Sequence, residues 1–94
     1  MNRLERATEW AETTDQKFLC LGGDGKECQE FADAFLGIVD GDPPKAVYSE
    51  NKVIEVFVNR DGMTWDEAVE FYDFNVKSAY IGEQTPVFIE TFEP

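Results

Sequence analysis

The chain has 94 residues, enough for one domain with a single modest core. Its 20 acidic and 8 basic residues give a net charge of −12, which argues against direct contact with a nucleic-acid backbone or an anionic membrane surface. The same balance favours partners with basic surfaces, against the plainer reading that acidity only keeps a small protein soluble.

Hydrophobic residues make up 43% of the sequence, too many for a disordered chain. There is no histidine, and the two cysteines, Cys20 and Cys28, cannot supply a four-ligand zinc site. MNRLERATEW lacks the apolar core of a signal peptide, and no apolar run approaches 18 residues. Two reduced, largely buried thiols in a cytosolic protein are expected.

Leu4, Ala7, Trp10 and Ala11 recur at helical spacing in RLERATEWAETT (3–14), which predicts a short N-terminal helix resting on the core through Trp10. KFLCL (17–21) is a compact apolar run stopped by GGDG (22–25), and reads as a strand. Cys28, Phe31, Ala32 and Phe35 are spaced for a brief helical turn near 26–32. Two strands, 34–39 and 45–49, then flank DGDPPK as a hairpin.

NKVIEVFVNRDG (51–62) carries four β-branched residues, and propensity alone favours a strand. Ser49 or Asn51 offers an N-cap, Gly62 a C-terminal stop, and Val53, Ile54 and Phe57 one apolar face, so a helix over 51–60 is expected. Thr64 and Glu67 form a capping box for a second helix over 64–81, with Met63 placed to staple against Ala68. Trp65, Ala68, Val69, Tyr72, Val76, Ala79 and Tyr80 form its apolar face, and Gly82 ends it. EQTP (83–86) reads as a turn and VFIETF (87–92) as a strand. The expected fold is an α+β domain: an antiparallel sheet of about four strands, consecutive helices 51–60 and 64–81, and the short N-terminal helix.

Chemical motifs are mostly excluded. GGDGKE (22–27) lacks the Walker A pattern, and Glu27 would repel a phosphate. DGD (40–42) starts like a calcium loop, but Pro43, Pro44 and Lys45 stand where ligands and the turn glycine belong. Without histidine, an activated nucleophile lacks its usual base. The chain is therefore read as no enzyme, with no cofactor and no metal.

Candidate binding residues remain. Asp66, Glu70 and Asp73 form an acidic stripe of roughly 10 Å on the solvent side of the second helix, partly offset by Lys77. Phe71 and Phe74 point away from its apolar face; either a second layer covers them, or they form an exposed patch for a partner or a homodimer. Asn75 reads as a structural tie between this helix and the turn 83–86, or else as the lining of a small pocket with Tyr80 and Glu83.

The segment RDGMTWDEAVEFYDFNVKSAYIGEQTPVF (60–88), preceded by AVYSENKVIEVF (46–57), resembles a family of small bacteriophage and prophage proteins of uncharacterised activity. Asn75, Ala79, Tyr80, Gly82, Glu83, Thr85 and Pro86 fall in register with that family's motif, over roughly the C-terminal half of the chain. The resemblance implies a phage origin, the host bacterial cytoplasm as location and a helix at VIEVFV. It transfers no catalytic residue. The leading expectation is an accessory protein that binds and inhibits a host nucleic-acid-binding protein, with imitation of DNA as one route. The rivals are a small-molecule or nucleotide-binding protein using the Asn75 pocket, and a minor virion or assembly component.

Overall fold

The computed structural model describes residues 2–22, 26–79 and 82–92. Helix α1 spans Arg3–Thr14 and begins with a capping box: the Glu5 N–H donates to Asn2 Oδ1 at 2.8 Å, and the Asn2 N–H donates back to the Glu5 carboxylate at 3.1 Å. Leu4, Ala7 and Ala11 are its buried residues, whereas Trp10 is only half-buried. The helix therefore rests on the core through Leu4 and two alanines, with the indole at the margin.

Residues 17–21 are not a strand. The apolar run packs without a ladder: Phe18 stacks on Phe35 with ring centroids 5.9 Å apart, and the Leu21 N–H donates to the phenol oxygen of Tyr48 at 2.9 Å. Side-chain burial and one phenol take the place of strand pairing. A short helix α2 (Lys26–Glu30) and a single 3₁₀ turn (Ala32–Ala34) lead into the sheet, as the helical spacing around Cys28 predicts. Cys28 is buried, Cys20 half-buried, and neither is part of a disulfide.

The expected hairpin is present. Strand β1 (Phe35–Val39) pairs antiparallel with β2 (Lys45–Ser49), with a bulge between Phe35 and Gly37. The expected all-antiparallel, four-stranded sheet is not. β3 covers only Val87–Ile89 and lies parallel to β2, so the described sheet is mixed, three-stranded and ordered β1-β2-β3. Thr91, just beyond β3, shows why the direction is parallel. Its hydroxyl lies 2.8 Å from that of Ser49 at the end of β2, and its carbonyl accepts from the Asn51 amide at 3.0 Å. The ends of the two strands are tied together.

Helix α3 (Glu50–Asp61) overrides the β-propensity of its valines. Ser49 caps it, accepting from the Lys52 N–H at 3.3 Å, and Gly62 stops it with φ 69°, a conformation that costs glycine nothing. Val53, Ile54 and Phe57 are buried as the periodicity predicts. Near its end the Arg60 guanidinium bonds to Glu30 at 2.7 Å and to Asp61 at 2.9 and 3.0 Å, and sits within 6 Å of both the Phe31 and Phe57 rings. Asp61 and Glu30 together hold that guanidinium above its ordinary range. Sequence gives only half of this pin: Phe57 and Arg60 are three apart on a helix, but Glu30 and Phe31 arrive through the fold.

Helix α4 covers Trp65–Tyr72, and the chain then widens into a π turn over Asp73–Lys77, so the regular helix is much shorter than the expected 64–81. The cap is as predicted. The Glu67 N–H donates to Thr64 Oγ1 at 3.2 Å, and the Thr64 N–H donates to the Glu67 carboxylate at 3.0 Å, which lowers that carboxyl's pKa. Ala68 and Tyr72 are buried, Val69 and Val76 half-buried, but Trp65 and Ala79 are exposed. Ser78 explains the widening: its hydroxyl donates to the Asp73 carbonyl at 2.6 Å, five residues back, and supports the wider turn. Residues 80 and 81, the expected end of this helix, lie outside the described residues. A chain of aromatic contacts, Phe35–Tyr48–Phe88–Tyr72, with centroids 5.5–6.1 Å apart, joins the sheet to α4.

Candidate functional site

The outer side of α4 gathers most of the candidate binding residues. Asp66, Glu70 and Asp73 are all exposed, and the helix is regular through Tyr72 with Asp73 still helical as its C-cap, so the three carboxylates share one side. Lys77 does not offset them. Its ammonium is drawn to Glu50 at the start of α3, 3.2 Å away, and leaves the stripe without a neutralising cation of its own helix.

The two phenylalanines part company. Phe71 meets Phe57 of α3 edge-on, centroids 5.0 Å apart, so α3 covers one side of that ring, which is still 38% exposed. Phe74 has no such cover and is 75% exposed. Beside them lies a shallow depression of about 370 Å³, lined by Met63, Glu67, Glu70, Phe71, Phe74 and Asn75. Carboxylates and aromatic edges therefore share one surface. Asp66 and Asp73 flank that depression without lining it.

Asn75 corrects the expected tie. Its amide donates to the Phe71 carbonyl at 3.1 Å within its own helix, and the side chain is exposed. The link from the turn is made instead by Gln84, whose amide donates to the Lys17 carbonyl at 2.6 Å. Of the proposed pocket residues, Asn75 borders an apolar cavity of about 230 Å³ walled by residues 19–22, Val76, Pro86 and Phe88. Glu83 lines a different depression, against the turn between β1 and β2. Tyr80 lies outside the described residues.

Two buried tyrosines are the most perturbed groups of the core. Burial raises the Tyr48 phenol above its ordinary range, against the opposing bond from Leu21. Burial, with the Glu50 carboxylate nearby, does the same to Tyr72, whose hydroxyl has no hydrogen-bond partner of good geometry.

Among the described residues no group of three or more His, Cys, Asp and Glu side chains is placed to hold a metal ion, and no helix is long and apolar enough to cross a membrane. No family model, curated protein or solved structure matches the chain.

Proposed function

We propose that the chain is a small, non-catalytic acidic protein of phage origin that binds a basic, nucleic-acid-binding surface of a host protein in the bacterial cytoplasm. One observation carries this reading: Asp66, Glu70 and Asp73 stand exposed on α4 beside Phe74, while the helix's own lysine is occupied by Glu50. At a rise of ~1.5 Å per residue the three charges span roughly 10 Å, a spacing of about 5 Å. One strand of duplex DNA carries a charge every ~3.4 Å, so the stripe has a line charge of the same order. Phe74 adds what a phosphate track lacks, an apolar anchor to be desolvated at the centre of an interface.

The test is capture from host lysate with the tagged chain at low and high salt, in parallel with Asp66→Lys, Glu70→Lys and Asp73→Lys combined. The substitutions move the net charge from −12 to −6. Salt-sensitive capture of a nucleic-acid-binding protein, competed by DNA and reduced at least tenfold by the triple variant, is the expected result. Salt-independent capture that the variant retains removes α4 from the interface.

The apolar cavity beside Asn75 supports a second reading, a small-molecule protein. Its walls are almost entirely carbon, and its size is below the usual 300–1,000 Å³ of a ligand site. It suits a short hydrocarbon moiety far better than a nucleotide.

A further inference from the structure

A second surface of the opposite charge lies across the molecule's N-terminal helix. On a 100° wheel, Arg3, Arg6, Ala7 and Trp10 of α1 fall within an arc of about 100°, and Glu5, Glu9 and Glu12 fall on the other side. α1 thus segregates its charges, in a chain where acids outnumber bases 20 to 8. Helix stability does not account for the arrangement. Cations in the first turns oppose the helix dipole, which favours acids there. Among the described residues neither guanidinium has an ion-pair or hydrogen-bond partner, in contrast to that of Arg60 with its two carboxylates.

The arginine side of α1 faces β1. Together they wall an open groove of about 450 Å³, with Arg3, Arg6 and Trp10 on one side, residues 35–38 on the other, and Asp40 as its one carboxylate, outnumbered by the two guanidinium groups. β1 is the edge of the sheet. Its inner side pairs with β2, and none of the loop and turn backbone bonds of the described residues involves 36–39. Mid-strand, a Cβ added to Gly37 would meet nothing within 4 Å, so the face of the strand is open at that position. An unpaired strand edge is a template for a further strand, and a groove between that edge and a helix gives the added strand's side chains somewhere to sit.

We infer that the α1–β1 groove binds an extended acidic peptide segment, which pairs with the outer edge of β1 as a fourth strand while the carboxylates on its α1-facing side meet Arg3 and Arg6 and their methylene stems pack on Trp10. Five residues of β1 offer a pairing length of about 16 Å. A segment of four or five alternating acidic and apolar residues fits that length, because alternation sends its carboxylates to one side. The guanidinium's planar donor fork suits carboxylates, and Arg and Trp are the residue types that dominate binding energy at interfaces. This surface is independent of the α4 stripe.

The test uses fluorescein-labelled, amidated octapeptides: alternating Val and Glu, alternating Val and Lys, and the Val–Glu peptide with alternate backbone nitrogens methylated. Anisotropy measures affinity, and amide chemical shifts locate the site. The Val–Glu peptide is expected to bind with shifts at residues 36–39 and the Trp10 indole. The Lys peptide and the methylated peptide are expected to bind at least tenfold more weakly. Arg3→Glu with Arg6→Glu should cost at least tenfold in affinity, and acids at a helix start leave its folding intact. If that double variant melts early, Arg3→Gln with Arg6→Gln at a threefold loss serves in its place. Equal binding of the Glu and Lys peptides, shifts confined to α4, no binding at millimolar peptide, or a dimer in sedimentation that buries 36–39 would each overturn the inference, the last by making a second copy the occupant.

Discussion

The consecutive helices α3 and α4 are held in opposite ways. α3 is poor in helix formers, with three valines and an isoleucine in twelve residues, yet it is regular from Glu50 to Asp61. Its core contacts hold it: Val53, Ile54 and Phe57 are buried, and Arg60 ties its end to Glu30 and Phe31. α4 has better local signals, a complete capping box and an amphipathic face, yet its regular part stops at Tyr72. Burial can carry a helix through unfavourable residues. A good start cannot carry one past the point where its burial ends, and among the described residues 73–79 only Val76 is even half-buried.

The largest expected effect breaks α3. Phe57 touches Phe31 and Phe71 edge-on and lies under Arg60, so Phe57→Ala removes one ring from three contacts at once. A loss of ~3–5 kcal/mol in denaturant unfolding is expected, as for a buried phenylalanine elsewhere. A loss under ~1 kcal/mol would show that α3 is held locally after all.

The two buried phenols sharpen the comparison between sheet and α4. Tyr48 accepts the Leu21 N–H, so Tyr48→Phe strands a part-buried donor and should cost ~1–2 kcal/mol. Tyr72 has the Glu50 carboxylate nearby but no hydrogen bond of good geometry, so Tyr72→Phe should be neutral within about 0.5 kcal/mol. Both phenols are held above their unfolded value of 10.0. Below that pH both states carry the proton and stability is intact. Above it the unfolded chain releases protons that the folded chain keeps, so stability falls as pH rises. Melting curves taken from pH 9 to pH 11 should show that decline, and it should be shallower in each variant. A flat profile would mean that the phenols are not desolvated.

Much of this was legible in the residues. Thr64 with Glu67, Ser49, and Gly62 are local signals whose partners are three residues away or less, and all three mark real helix ends. The hairpin was legible because turn residues separate two short apolar runs. The direction of β3 was not, since VFI alternates identically whichever way it pairs; the Thr91–Ser49 contact that ties the strand ends joins residues 42 apart. The run at 17–21 misled for a related reason. An apolar pentapeptide can pair or simply pack, and only the position of Tyr48 decides. On the candidate surface, the stripe of Asp66, Glu70 and Asp73 could be placed from the α-helical period, but Lys77 could not be assigned to Glu50 without the fold. Nor could periodicity show that α3 partly covers Phe71 and leaves Phe74 bare.

Thr64→Ala tests how far α4 depends on its start. The hydroxyl accepts the Glu67 N–H, and its removal also loosens the reciprocal bond from the Thr64 N–H. A cost of ~1 kcal/mol is expected, with fraying of residues 65–68 by amide exchange. Should the loss stay under a few tenths, the burial of Ala68 and Tyr72 fixes the helix start without its cap.

The smallest effect is expected at Asn75, and it is the sharpest probe of the region past Tyr72. As a tie to the turn 83–86, its removal would leave backbone groups unpaired and cost ~1–3 kcal/mol. The amide instead bonds the Phe71 carbonyl in its own helix, with the side chain exposed, so water can replace it. Asn75→Ala should therefore change stability by less than ~0.5 kcal/mol, the usual range for a surface site. Gln84→Ala is the matched control, because Gln84 does bridge the turn to Lys17 across 67 residues of sequence. The control should lose more than the Asn75 variant, though only ~0.5–1.5 kcal/mol for one exposed bond. If Asn75→Ala is the more damaging of the two, the far end of the helix is anchored by its own amide. The contrast with α3 would then be one of degree, since both helices would depend on contacts beyond their caps.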